Sequence, residues 1–353
     1  MRFTSRTALF AVAACTAVAG LSPTPRTHAQ TRALAGGSLV LYGAEGYDVT
    51  TGKVFGQATG TNVQVLDDHT GIIIAKIQAE GANPKWDVVW FDGDAAMQAL
   101  NNQGLLYKWT PANVANYTPL GASLTPPDHA FFPTGVTAAG TIVYNTHKLS
   151  PAQAPKDWSD LLKPQFKNNV AMSDPAYSGP AYSMIAGTLL RLGGTGRALT
   201  AGEAFYTALK NNGPIKFNQS NEPTLNQVET GARLVGIVQD ATYFATKATG
   251  APLAIVYPTS GVTVLPGVIA INAKSKHLQA AEAFVNYVLS RAGQNVMVHD
   301  PNDSDSYFSP IIKGVAALPG RQTAGINWQR LDYVWAGANN ARIKAWFHTH
   351  IVQ

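Results

Sequence analysis

Short apolar runs, each closed by a glycine-bearing loop and followed by a stretch of helical periodicity, set the pattern of this chain from residue 38 onward. Ser38-Leu39-Val40-Leu41-Tyr42 reads as a buried strand ending in the loop Gly43-Ala44-Glu45-Gly46, whose glycines let backbone face a ligand. The pattern predicts a helix over 49–60, a strand over 62–66 and an amphipathic helix over 71–79. Trp86-Asp87-Val88-Val89-Trp90-Phe91 follows as a strand covered on both faces. Strand, loop and helix in alternation argue an α/β fold with a parallel sheet. Ligands of such sheets gather at the carboxyl ends of the strands, here Tyr42 to Glu45, Asp67 to Thr70 and Asp92 to Asp94.

Gly135 to Gly140 reads as an extended crossing into a second lobe, which opens with the strand Thr141-Ile142-Val143-Tyr144-Asn145. Trp158-Ser159-Asp160-Leu161-Leu162 is a short helix before Pro164, and Asn169-Val170-Ala171-Met172 a strand. It feeds Asp174-Pro175-Ala176-Tyr177-Ser178-Gly179-Pro180, after which residues 181–192 have helical spacing and stop at Gly193-Gly194. Pro266 to Ile271 returns the chain to the first lobe, and 277–291 is an amphipathic helix on it. The expected division is 34–138 with 265–300 as lobe one and 139–264 as lobe two. The region 301–353 is helical in part and has no assigned lobe.

The ends and the composition add compartment and class. Residues 1–29 carry Arg2 and Arg6, an apolar run from Ala8 to Leu21 and the small-x-small site Thr27-His28-Ala29, the plan of a secretory signal peptide. The run is too short to cross a bilayer, so the expectation is a periplasmic protein; Val12-Ala13-Ala14-Cys15 also fits a lipid-attachment box. Cys15 is the only cysteine and would leave with the signal, removing disulfide, thiol and thiolate-metal chemistry. Taking the three arginines of 1–29 from the 26 basic residues leaves a charge of about +2 against 21 acids, too little for a nucleic-acid binder.

Val143-Tyr144-Asn145 with Trp158-Ser159-Asp160-Leu161-Leu162, the Tyr177-Ser178-Gly179 turn, and Pro266-Gly267-Val268, in that order and spacing, resemble the periplasmic solute-binding proteins of ABC importers. The resemblance is to the branch holding ferric-ion binders and binders of phosphonates and phosphorylated sugars, and it spans Leu39 to about Pro310. It implies the two-lobed type II periplasmic-binding-protein fold, each lobe a mostly parallel sheet flanked by helices with a hinge between them. It also implies a small anionic solute and an inner-membrane ABC permease as partners, a monomer, no cofactor, no nucleic acid and no catalysis. At the ferric-ion ligand positions of the resembling proteins this chain has Gly46, Asp92, Ala241 and Thr242, so three of four ligands are replaced. Asp92 with nearby Tyr243 is not an adequate cage for a hard, highly charged ion. At the anion positions it has Ser178-Gly179-Pro180, Asn221 and Gln239.

A helix start has unpaired N–H groups and about half a positive charge, so it takes a phosphoryl or phosphonyl group without a lysine. Ser178 adds a hydroxyl and Gly179 permits close approach; Pro180 removes one donor, leaving Ala181 N–H to serve. Equally, Ser178 can cap its own helix. Thr70-Gly71 offers a second seat from the facing lobe, with Asp67 or Asp68 repelling an anion unless turned away. Asp92 and Asp240 suit a solute that also carries an amine. Tyr42, Tyr177 and Tyr243 can pack on the solute or belong to the core.

Of enzyme signatures, G-x-S-x-G, H-E-x-x-H and G-x-x-x-x-G-K do not occur. A ferric-ion or metal-anion binder is the alternative of the same kind, and a secreted hydrolase the alternative of another class.

Overall fold

The computed structural model describes residues 37–193, 199–300, 304–321 and 324–353. The signal-peptide segment with Cys15, and Gly194 and Gly196 after the helix at 181–192, lie outside the described residues.

The chain begins with β1 (Ser38–Ala44), α1 (Asp48–Thr59), β2 (Asn62–Asp67), α2 (Thr70–Glu80), β3 (Val88–Asp92), α3 (Asp94–Asn102), α4 (Pro119–Leu124) and β4 (Phe132–Ala138). It crosses at Ala139 and Gly140 into β5 (Thr141–Asn145), β6 (Val170–Ser173), α5 (Gly179–Gly193), α6 (Thr200–Asn211), β7 (Lys216–Asn218), α7 (Asn221–Glu229), β8 (Val235–Val238), α8 (Asp240–Ala248) and β9 (Leu253–Val256). It returns through β10 (Val262–Ile271), followed by α9 (Leu278–Val288), α10 (Arg291–Val298), β11 (Trp328–Gln329), α11 (Tyr333–Ala338) and α12 (Asn340–Phe347). Among the described residues no helix is long and apolar enough to cross a membrane.

Two sheets result, one per lobe. The first runs β11-β10-β3-β1-β2 with β4 on β10, and the second runs β7-β6-β8-β5-β9. Each has a parallel set of strands and antiparallel pairs where the crossing strands enter, and in the first sheet β10 also pairs in parallel with β11. β1 is parallel to β2 and β3, whereas β10 is antiparallel to β3 and β4; β6 is parallel to β7 and β8, whereas β5 is antiparallel to β8 and β9.

Continuous apolar sequence makes β3 and β10 central. Val88 and Trp90 face one core with Phe55 of α1 and Phe284 of α9. Val89 and Phe91 face the other with Ile73 of α2 and Met97 of α3. Alternate residues thus meet helices on opposite faces, the arrangement expected of a strand buried on both sides. Pro266, which has no N–H to give a ladder, stands opposite Val136 of β4, and the pairing of β10 with β4 shifts register just beyond it, between Gly267 and Val268. The short helix expected at Trp158–Leu162 is a 3-10 turn capped by the Asp157 carboxylate.

The C-terminal region joins both lobes. α11 packs on α3 of lobe one, and Tyr182 of lobe two donates its hydroxyl to the Ala336 carbonyl at 2.6 Å. Phe347 and Ile351 enter the lobe-two core beside Tyr206, whose ring meets Phe347 edge-on at 5.2 Å.

Candidate functional site

Loops at the strand ends of both sheets surround a cleft of about 530 Å³ between the lobes. Lobe one gives Ala44 and Gly46 at the end of β1, Asp67 to Thr70 at the end of β2, and Asp92 at the end of β3; lobe two gives Tyr177 to Pro180, Gln219 to Glu222, and Gln239. Asp305 contributes from the segment after α10. These are the carboxyl ends of the strands, where an α/β sheet presents the first turns of its helices. Thr70, Gly179 and Asn221 are the first residues of α2, α5 and α7, and Gln239 is the N-cap of α8.

The lobes touch around the cleft. Gly71 N–H donates to the Tyr177 carbonyl at 2.9 Å, and Gln239 Nε2 donates across to Asp92 Oδ2 at 2.8 Å and to Thr137 Oγ1 at 2.9 Å. A Cβ on Gly179 would overlap the Asp92 carbonyl oxygen, and one on Gly71 would overlap the Ala176 carbonyl oxygen. Both glycines are therefore fixed by backbone meeting backbone. Gln239 is held in turn by Asn221, whose Oδ1 accepts from Gln239 N–H at 3.1 Å and whose Nδ2 donates to Gln239 Oε1 at 3.3 Å.

Of the residues singled out in the sequence, Ala44, Asp67, Asp68, Thr70, Asp92, Tyr177, Ser178, Gly179, Pro180, Asn221 and Gln239 line the cleft. Ser178 does both things open to it: it borders the cleft and its Oγ accepts the Ala181 N–H at 3.2 Å. Ala181 is thereby engaged in its own helix and is buried. The other four lie elsewhere. Tyr42 points to the α2 side of its strand, donating its hydroxyl to Glu80 Oε1 at 2.6 Å beneath Lys76. Glu45 is buried below the cleft, accepting from the Tyr47 hydroxyl at 2.9 Å. Tyr243 packs with Phe244, Leu225 and Val228. Asp240, the first residue of α8, is buried off the lining, where it accepts from Ala138 N–H at 2.9 Å and the Tyr257 hydroxyl at 2.9 Å, with Arg321 Nη1 2.8 Å from its Oδ1. Sequence reasoning did not single out Gln219, Ser220, Glu222 or Asp305.

Carboxyl groups dominate the charge. Among the described residues no lysine or arginine lines the cleft, while Asp67, Asp68, Asp92, Glu222 and Asp305 do. Burial pushes Asp92 well above the usual carboxylate range, with Asp305 adding to the rise and the Gln239 hydrogen bond opposing it. Glu45 is raised by burial and then by the charges of Asp92 and Asp305. Asp67 is raised by burial and by adjacent Asp68. Asp305 is pushed up to about 7 by burial and by Glu222, against its acceptance of Gly46 N–H at 3.2 Å. Desolvation and mutual repulsion both favour the protonated forms.

Residues 51–327 match the family of bacterial extracellular solute-binding proteins. The chain belongs to that family. It is the solute-binding component of an ABC transporter, taking a small solute to a permease. The Fe(3+)-binding periplasmic protein of Serratia marcescens is 28% identical over 271 residues, 73% of this chain and 75% of that one. In structure the chain is similar to the periplasmic binding protein AfuA of Actinobacillus pleuropneumoniae with fructose-6-phosphate bound, at TM-score 0.80 and 22% identity over 90% of this chain and 99% of the other. It is likewise similar to iron-bound HitA of Pseudomonas aeruginosa, at TM-score 0.74 and 22% identity over 88% and 98%. These likenesses bear out the two-lobed periplasmic-binding-protein fold read from the sequence.

Proposed function

We propose that this solute-binding protein captures a phosphorylated or phosphonylated small organic anion in the periplasm, closes its lobes over it, and catalyses no reaction on it. The observation that carries this reading is the convergence of helix starts on one cleft: the first turns of α2, α5 and α7 and the N-cap of α8 all border it. Groups in a first turn have no carbonyl of their own helix to bond, and the summed peptide dipoles make that end positive. Such ends take phosphoryl oxygens without a basic side chain, in keeping with a cleft on which His69 but no lysine or arginine stands among the described residues. Fructose-6-phosphate in AfuA is support by analogy of fold.

Ferric-ion binding is the second reading, suggested by the name of the Serratia marcescens relative. Among the described residues no group of three or more His, Cys, Asp or Glu side chains is placed to hold a metal ion, so the anion reading stands first. A thermal-shift screen of sugar phosphates, phosphonates, carboxylates and ferric salts tests both. A solute at 100 times its dissociation constant adds about 2.7 kcal/mol of stability. Stabilisation by ferric salts with none by any phosphate or phosphonate would reverse the order of the two readings, and turnover of a phosphoester would favour a hydrolase.

A further inference from the structure

Asp92 and Asp94 flank Gly93 where β3 passes into α3, and they serve different spaces. Asp92 borders the inter-lobe cleft, whereas Asp94 lines a second cavity of about 150 Å³ that shares no lining residue with the cleft. Gly93 makes the turn between them at φ 111°, a conformation open to glycine. Leu124, Val264 and Leu331 give the second cavity apolar sides; Asp94, 5% exposed, and Arg330, exposed to solvent, give it charge.

The Asp94 Oδ1 atom is buried and has no hydrogen-bond partner among the described residues. Leaving a carboxylate oxygen so placed is costly. Arg330 does not relieve it. Among the described residues Asp94 joins no ion pair, and the Arg330 guanidinium donates instead to the Ser123 carbonyl. One cavity is therefore lined by an acid and a base that do not pair with each other.

We propose that this cavity is a second binding site, for a small zwitterion such as an α-amino acid of glycine or alanine size, its ammonium donating to Asp94 and its carboxylate accepting from Arg330. A simple cation would gain Asp94 but meet the charge of Arg330, and a simple anion the reverse; a molecule carrying both charges satisfies both side chains. The size agrees, since 150 Å³ is about five water volumes at roughly 30 Å³ each and these amino acids have about five or six non-hydrogen atoms. The site stands independently of the anion reading of the cleft.

The experiment is equilibrium dialysis of the protein against labelled glycine at about pH 8, with two competitors: glycinamide, which keeps the ammonium alone, and acetate, which keeps the carboxylate alone. Each should compete at least about tenfold less effectively than unlabelled glycine, the loss of one charged hydrogen bond. Asp94→Asn and Arg330→Gln should each weaken glycine binding about tenfold or more for the same reason, whereas Asp92→Asn, in the cleft, should leave it unchanged. Unliganded melting temperatures check that the variants fold, and the exposure of Arg330 makes its variant a test apart from any effect on the core. No glycine bound up to about 10 mM, tenfold weaker than a millimolar complex, overturns the proposal. Competition by glycinamide or acetate short of the tenfold margin also overturns it, as does binding that is lost with Asp92→Asn or kept by either cavity variant.

Discussion

Gly179→Ala should separate lobe closure from folding. Gly179 opens α5, and an added Cβ would run into the Asp92 carbonyl oxygen and stand 3.0 Å from Thr70 Oγ1. The main obstacle is backbone at the end of the central strand β3, so no side chain can rotate out of the way; the lobes must move apart by a few tenths of an ångström or more. Inserting a methyl group into well-packed surroundings costs about 1–3 kcal/mol. That cost would fall on the closed form, because the obstructing atoms belong to the facing lobe and separate from Gly179 if the lobes part. The closed-to-open ratio should fall about 5- to 150-fold, and the affinity for whichever solute stabilises the wild type should fall by the same factor. Within the helix itself alanine is favoured over glycine by up to about 1 kcal/mol. Urea unfolding of the unliganded variant should therefore be unchanged or slightly more difficult. Small-angle scattering at equal, sub-saturating solute concentration should show a larger radius of gyration than the wild type, because less of the variant is closed. Undiminished affinity with normal compaction would refute the claim that this glycine is fixed by contact between the lobes.

Two further outcomes concern buried charges. Asp240 and Arg321 have side chains 0% and 1% exposed, so Asp240→Asn should destabilise by about 3 kcal/mol by leaving a buried guanidinium without its counter-charge. The double variant Asp240→Leu with Arg321→Met should be less destabilised than that single variant; a single-variant loss below about 1 kcal/mol in urea would remove the pair from the list of stabilising contacts. Asp94, 5% exposed, is pushed up to about 7 by burial, opposed by the Ala95 backbone N–H and the charge of Arg330. The native state then keeps this proton to about pH 7 while the unfolded chain releases it near pH 4, so stability contributed here falls as pH rises between those values, by roughly 1.4 kcal/mol per unit at most. Asp94→Asn should gain on the wild type across that window and run parallel outside it, and parallel curves throughout would show that Asp94 titrates normally in the fold.

What the sequence made legible follows from where a pattern exists. β3 and β10 were readable because burial on both faces leaves an uninterrupted apolar run, and α5 was readable because Ser178-Gly179-Pro180 sets its start before a periodic stretch. Position along the chain places Thr70 and Asp92 at the strand ends of one sheet and Ser178, Asn221 and Gln239 at those of the other, and the structure brings these ends to one cleft. Direction was another matter. Tyr42 stands on the same face of β1 as Val40 and Ala44 and is drawn to Glu80 on α2, while Asp240 turns back to Arg321 from a segment far along the chain. No local spacing encodes either contact. Asp305 was missed for the same reason: it reaches the cleft from a non-periodic stretch after α10, where neither burial nor lobe is written in the pattern. The antiparallel entry of β5 and β10 also escaped, because a buried strand has the same composition in either direction.

The distribution of acids among helix first turns narrows where an anion would sit. Asp48 stands in the first turn of α1, Glu222 in that of α7 and Asp240 in that of α8, whereas the first turns of α2 and α5 hold no acid. A carboxylate in the first turn offsets the positive end of its own helix, so of the helices opening on the cleft, α2 and α5 keep the most of theirs. These two belong to opposite lobes, and their starts meet where Gly179 approaches Thr70 and Gly71 bonds Tyr177. An anion seated there is held from both sides only when the lobes are together. Binding and closure would then be one equilibrium, because an anion between two positive helix ends lowers the cost of holding them together. On this view the narrow glycine contacts around the seat set how near the two helix ends can come, and so how large a group can bridge them.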